Sequence, residues 1–175
     1  KNNFRTLLDS YLIETLIIWS NINELDLEKA ELSLNNLDNR FENLKKIQNV
    51  FFNCFFENDN TESEFYKLVS NDKTDFSRYN YFYANYLKSI NKKAQAVEVI
   101  NSSLEKFPRN LLINQYKDDL ETSKISFRFD CKKEKDVAAE LIYIAANALS
   151  SQSVYPLSNF YLNLSKYLNK DFHAF

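Results

Sequence analysis

At 175 residues, 45% apolar and 15% aromatic, the chain carries ample hydrophobic material for a sizeable core. It contains no glycine, which excludes Gly-rich phosphate loops, dinucleotide-binding turns and nucleophile elbows, all of which need positive φ or close backbone approach. A net charge of −2 with acids and bases interspersed leaves no electrostatic footprint for nucleic acid, and the single histidine, His173, excludes a multi-histidine metal site or a catalytic triad.

Leu, Lys, Glu, Asn and aromatics dominate and only Pro108 and Pro156 interrupt, so the composition predicts an all-α protein. The helical pattern begins at Phe4. The longest apolar stretch, YLIETLIIW at 11–19, is broken by Glu14 and is about half the length that a membrane span requires, so it reads as a core helix. The opening without methionine raises the expectation of a processed or truncated N-terminus, and leaves cytoplasm and periplasm both open as compartments. Next, ELDLEKAELSLNNL supplies a turn and a helix around Ala30, and Leu44, Ile47, Val50, Phe51 and Cys54 mark another helix. A short helix follows around Phe65 to Val69. The aromatic run RYNYFYANYLKS at 78–89 and AVEVINSSLEKF at 96–107 form a helix pair that stops at Pro108. Residues 110–122, with Ile113, Tyr116 and Leu120, give one more helix before the irregular SKISFRFDCKKEKD, and a last pair starts near Val137. Cys54 and Cys131 belong to no CxxC or Cys/His spacing and read as buried or half-buried thiols. The acid pairs Asp118 and Asp119, and Glu134 and Asp136, read as solvated surface.

The helix pairs recur. Laying 82–89 (FYANYLKS) over 144–151 (IAANALSS) matches Ala84 with Ala146, Asn85 with Asn147 and Leu87 with Leu149, and Tyr81 falls on Tyr143. In the following helix Ile100 falls on Leu162 and Ser103 on Ser165, a spacing of 62 residues throughout. With Ser77 at position 1, large residues stand at 7, 11 and 24 (Tyr83, Leu87, Ile100), small ones at 8, 20 and 27 (Ala84, Ala96, Ser103) and Pro108 at 32; Asn80 at position 4 departs. Small side chains at these positions let paired helices approach closely. A unit starting at Ala139 repeats the pattern less fully, with Lys170 in place of the proline.

These positions resemble the tetratricopeptide repeat, a 34-residue helix–turn–helix of which two units span nearly the observed period. The closing run VAAELIYIAANALSSQSVYPLSNFYLNLSKYLNKDF resembles the last repeats of bacterial members. The resemblance implies a single domain over 1–175: a right-handed α-solenoid of antiparallel helix pairs with about four to five degenerate repeats. The best units are 77–110 and 139–172, and 11–43, 44–76 and 110–138 are degenerate. It further implies a noncatalytic scaffold without cofactors whose concave groove, lined by first helices, holds a partner protein or peptide. Two alternatives stay open, the repeat portion of a larger transferase or hydrolase, and an envelope-assembly factor.

On a helical wheel Tyr79, Phe82, Tyr83, Tyr86, Leu87 and Ile90 share an arc of about 140° and are expected in the core. Arg78, Tyr81, Asn85 and Lys88 form the opposite stripe, at groove positions 2, 5, 9 and 12 of the resembled repeat. Tyr and Asn recur there as Tyr143 and Asn147, with Glu140 at position 2 and Ser150 at position 12. An asparagine amide can pair with an extended backbone and a tyrosine offers an amphipathic surface, so Arg78, Tyr81, Asn85, Lys88, Tyr143 and Asn147 are the expected peptide site. Lys45, Gln48 and Phe52 are the matching candidates in the degenerate unit 44–76.

Overall fold

The computed structural model describes residues 2–71, 74–122 and 128–171, with side chains from Leu8 onward. Among them every regular element is helical, and the protein is all-α: α1 (Asn2–Ser20), α2 (Leu27–Asn35), α3 (Glu42–Phe55), α4 (Thr61–Val69), α5 (Tyr79–Ser89), α6 (Lys93–Lys106), α7 (Leu111–Thr122), α8 (Glu134–Ser151) and α9 (Tyr155–Leu168). Two short 3-10 turns, Ile22–Glu24 and Asn39–Phe41, flank α2. His173 and most of the irregular stretch before Arg128 lie outside the described residues.

Where a helix of this glycine-free chain ends through the left-handed region, a residue with a side chain has to occupy it. Three helices do so at the position just past the C-cap: Glu57 after α3, Asn91 after α5 and Ser153 after α8, with φ of 54°, 63° and 60°. In α5 the Lys92 amide donates to the Leu87 carbonyl at 2.8 Å and Asn91 to Lys88 at 3.1 Å. In α8 Val154 donates to Leu149 and Ser153 to Ser150, both at 2.9 Å. Each is a Schellman pair of bonds, which satisfies carbonyls that the helix end leaves open and reverses the chain into the next helix. The two turns sit 62 residues apart, the same interval as the side-chain pattern.

The chain divides into two compact units. Unit 1 comprises Lys1–Glu57 and Asp130–Ala174, and unit 2 is the intervening stretch from Asn58 to Phe129. In unit 1, α8 and α9 form a closely packed hairpin and α1 packs against α8, more than a hundred residues further along the chain. A linear stack in which each repeat touches only its neighbours makes no such contact. Trp19 of α1 also reaches α3, its ring 4.9 Å from that of Phe52 and its Nε1 donating to Gln48 Oε1 at 2.7 Å. In unit 2, α5 packs on α4, α6 and α7.

The cysteines are not thiols. Cys54, at the end of α3, and Cys131, just before α8, form a disulfide with Cα atoms 5.9 Å apart. Both belong to unit 1, Cys54 four residues before unit 2 leaves the chain and Cys131 two residues after it returns. A pair separated by 77 residues leaves no spacing signature, because tertiary packing alone brings it together. Glu57 and Lys132 form an ion pair in the same unit. Asp119 also departs from expectation, being 4% exposed and accepting from Gln115 Nε2 at 3.1 Å. Its neighbour Asp118 is exposed as expected. Asp136 is half-buried and accepts from the Asp130 amide at 2.8 Å, and burial raises its pKa above the usual carboxylate value.

Small residues stand where helices meet: Ala84, Ala96, Ala139 and Ala146 are fully buried. Replacing Ala84 with phenylalanine forces extra volume into this contact, and is expected to cost about 2 kcal/mol and lower the melting temperature by about 6 °C. A thermal melt followed by circular dichroism checks it; an unchanged midpoint would remove the close helix contact.

Candidate functional site

The predicted stripe falls in both units and is largely covered by the protein itself. In unit 2, Tyr81 is fully buried, its ring set edge-on to Tyr116 of α7 at 4.8 Å and to Phe82 at 5.1 Å. Asn85 is half-buried and its Nδ2 donates to the Phe129 carbonyl at 2.7 Å, while the Phe129 ring packs edge-on against Phe82 at 4.5 Å. The asparagine thus holds an irregular backbone segment, as its chemistry suggested, but one from its own chain. Arg78 and Lys88 are half-buried, with the Arg78 guanidinium 5.6 Å from the centre of the Phe82 ring.

In unit 1, Tyr143 is 5% exposed and Asn147 is exposed. The neighbouring candidates fare alike. Gln48 and Phe52 are fully buried beneath Trp19, and Glu140 is fully buried on α8. Lys45 is 3% exposed; its ammonium donates to the carbonyls of Asn35 and Leu37 and to Asn39 Oδ1. A cation at these carbonyls closes the C-terminal end of α2, where the helix dipole favours it. Apart from Asn147, these positions lie on helices that pack closely on others, α8 against α1 and α3 against α2 in unit 1 and α5 against α7 in unit 2.

The open concavity lies elsewhere, wholly within unit 2. It is a cleft of about 800 Å³ with α4 on one wall, α6 on the other and α5 as its floor. On the α4 side, where the helix has 9 residues against the 14 of α6, the lining continues into the segment that follows α4, through Ser70, Asp75 and Phe76. The floor is the stripe Asn80, Tyr83 and Leu87, and Phe65 beneath α4 stacks on Tyr83 at 5.6 Å and on Tyr86 at 5.4 Å. Burial, and next the Glu62 carboxylate, push the Tyr83 hydroxyl above its ordinary pKa, so it remains a neutral donor.

One wall residue is electrostatically unfinished. In the α8–α9 pair Ser165 donates its hydroxyl to the Ala139 carbonyl. The corresponding residues 62 positions earlier are Ser103 and Ser77. There, however, the Ser77 carbonyl accepts from Asn80 Nδ2 at 3.1 Å and from the Asn80 amide at 3.2 Å. Ser103, 4% exposed, has no partner for its Oγ. Asn80 is also the residue that departs from the repeat pattern at position 4.

Among the described residues no group of three or more His, Cys, Asp or Glu side chains could hold a metal ion, and no helix is long and apolar enough to cross a membrane. Comparison of the chain with protein-family models, with curated proteins and with solved structures returned no match.

Proposed function

We propose that the protein is a noncatalytic helical-repeat scaffold of the tetratricopeptide type, and that it holds a segment of a partner protein in the cleft over α5. The observation that carries this reading is the cleft itself. An opening of about 800 Å³ lies in the size range of ligand sites, and it combines apolar, aromatic and hydrogen-bonding side chains on its walls. The repeat part of the reading is supported by the recurrence of side-chain pattern and helix-ending turn at the same 62-residue interval. The scaffold part is supported by the exposed rings of Tyr66 and Phe107, which line the cleft together with the exposed polar side chains of Gln95 and Ser102.

Val99, half-buried on the α6 wall, gives a direct test. Replacing it with tryptophan fills the cleft from the wall that faces α4, without touching Tyr81, Asn85 or the disulfide. Partners captured from a lysate of the source organism by the unaltered protein are expected to be lost from Val99→Trp, with the melting temperature of the variant preserved within a few degrees. Equal capture by both proteins would overturn the assignment of the cleft as the binding site.

A further inference from the structure

We infer that α9 is a dimerisation helix, which pairs antiparallel with α9 of a second copy of the chain through Leu157, Phe160, Leu164 and Tyr167. These four residues follow a 3-4-3 spacing and, at about 100° per residue, share an arc of about 80°. The arc lies about 130° round the helix from Ser158 and Ser165, the buried pair that bonds carbonyls of α8. Leu157 and Leu164 are half-buried, and Phe160 and Tyr167 are 58% and 79% exposed. Among the described helices α8 alone packs closely on α9, so the helix has one face for α8 and a second, apolar face left over.

The repeat supplies an internal control. In α6, 62 residues earlier, the same four positions are Gln95, Glu98, Ser102 and Glu105, all exposed. Packing the second helix of a pair on the first therefore asks for nothing apolar there. All four positions change from polar to apolar in α9, which a fold of one chain does not require and an interface does.

Charge and area select the occupant. α9 has no acidic residue, and its one charge, Lys166, lies off the seam, so the face fits an uncharged, apolar helix. α9 is itself such a helix, and seam on seam is self-complementary about a two-fold axis, which closes the assembly at two copies. With the axis at the level of Leu162, antiparallel pairing sets Phe160 against Leu164 of the second copy and Leu157 against Tyr167, a large side chain against a smaller one each time. The two Lys166 positions then lie about 12 Å apart along the helices, beyond a screening length of about 8–10 Å, whereas a parallel pair would set them abreast. At about 200 Å² for a fully exposed aromatic side chain, Phe160 and Tyr167 leave roughly 270 Å² of ring surface per copy, and the half-buried leucines and helix flanks bring the pair to about 1,000 Å². That area is the lower limit of a specific interface and sets the expected dissociation constant at about 10–100 µM.

Sedimentation equilibrium of the full chain from about 5 to about 500 µM tests the pairing, with the weight-average mass expected to rise from that of a monomer to twice that value. Phe160→Glu with Tyr167→Glu gives α9 the side chains that α6 carries at these positions. It should hold the protein monomeric throughout and leave the melting temperature at low concentration within about 2 °C of the parent. The register is read from single variants. Phe160→Glu and Leu164→Lys should each weaken self-association at least about tenfold, and an equimolar mixture of the two should restore a dimer, because only antiparallel pairing sets the new carboxylate against the new ammonium. A chain that stays monomeric up to about 500 µM would overturn the inference and assign the face to a different protein. A glutamate double variant that still dimerises, or a mixture that associates no better than its components, would overturn it as well. So would a double variant whose melting temperature falls by about 10 °C or more, because the two rings would then belong to the fold of a single chain. None of these outcomes bears on the cleft over α5, which partner capture by Val99→Trp tests.

Discussion

Replacing Cys54 with alanine and Cys131 with serine is expected to destabilise the protein by about 4 kcal/mol and to lower its melting temperature by about 10 °C. Unit 1 is assembled from two chain segments, and their docking must close the loop that contains all of unit 2. The disulfide holds that loop closed in the unfolded, oxidised chain, across a separation of 77 residues. The chain-entropy cost it removes grows with the logarithm of loop length, so a loop of this size sits near the upper end of what a crosslink contributes. Dithiothreitol should reproduce most of the shift in the unaltered protein and none of it in the double variant. Thiol titration of the denatured, unreduced protein should find no free thiol; two titrating thiols, or a double variant that melts with the parent, would show that the crosslink does not form.

Much of the helical layout was legible because it depends on local pattern. The arc holding Tyr79, Phe82 and Tyr83 is buried, and Ala84, Ala96 and Ser103 lie in the helix contact where small residues were expected. Even the short helix around Phe65 was visible, and it forms one wall of the cleft. Ile90 illustrates the first limit: it shares the buried arc on the wheel, yet it is the C-cap of α5 and 39% exposed, because the chain turns away there. Tyr81 illustrates the second. A wheel assigns each helix one inward face, whereas α5 has α4 and α6 on one side and α7 with the Phe129 segment on the other, so both stripes are used.

The pairings that define the rest act over distances that periodicity does not carry. Nothing in the spacing of Cys54 and Cys131 announces a bond, and nothing in Lys45 announces that its ammonium will meet the end of α2. The cleft was half announced. Asn80 stood out as a polar residue where the repeat wants a large one, but that its amide bonds the Ser77 carbonyl while the Ser103 hydroxyl is buried without a partner is seen only in the hydrogen bonds. The stripe proposed for a partner and the cleft that is open are therefore opposite sides of α5, separated by about half a helical turn of register.

The sharpest probe of that difference is the Trp19–Gln48 pair. Trp19→Ala is expected to cost about 4 kcal/mol, since it empties a site packed against Phe52 and Phe55 and 1% exposed. The more informative variants remove one hydrogen-bonding partner at a time and keep an apolar side chain in its place. Gln48→Leu leaves the indole N–H buried without its acceptor, and Trp19→Phe leaves the Gln48 carbonyl oxygen without its donor, each costing about 1–3 kcal/mol in desolvation. The double variant Trp19→Phe with Gln48→Leu strands neither group, and it also removes the Gln48 Nε2, which is buried without a partner. It should therefore be more stable than the sum of the single variants predicts, by about 1 kcal/mol or more in a urea-denaturation cycle. Trp19 is the one tryptophan in the chain, so its emission reports the same site, blue-shifted and shielded from acrylamide in the native protein. Strict additivity, together with a solvent-quenched tryptophan, would place Gln48 on an open groove after all; coupling places it in the core, and directs the search for a partner to the α4–α6 cleft.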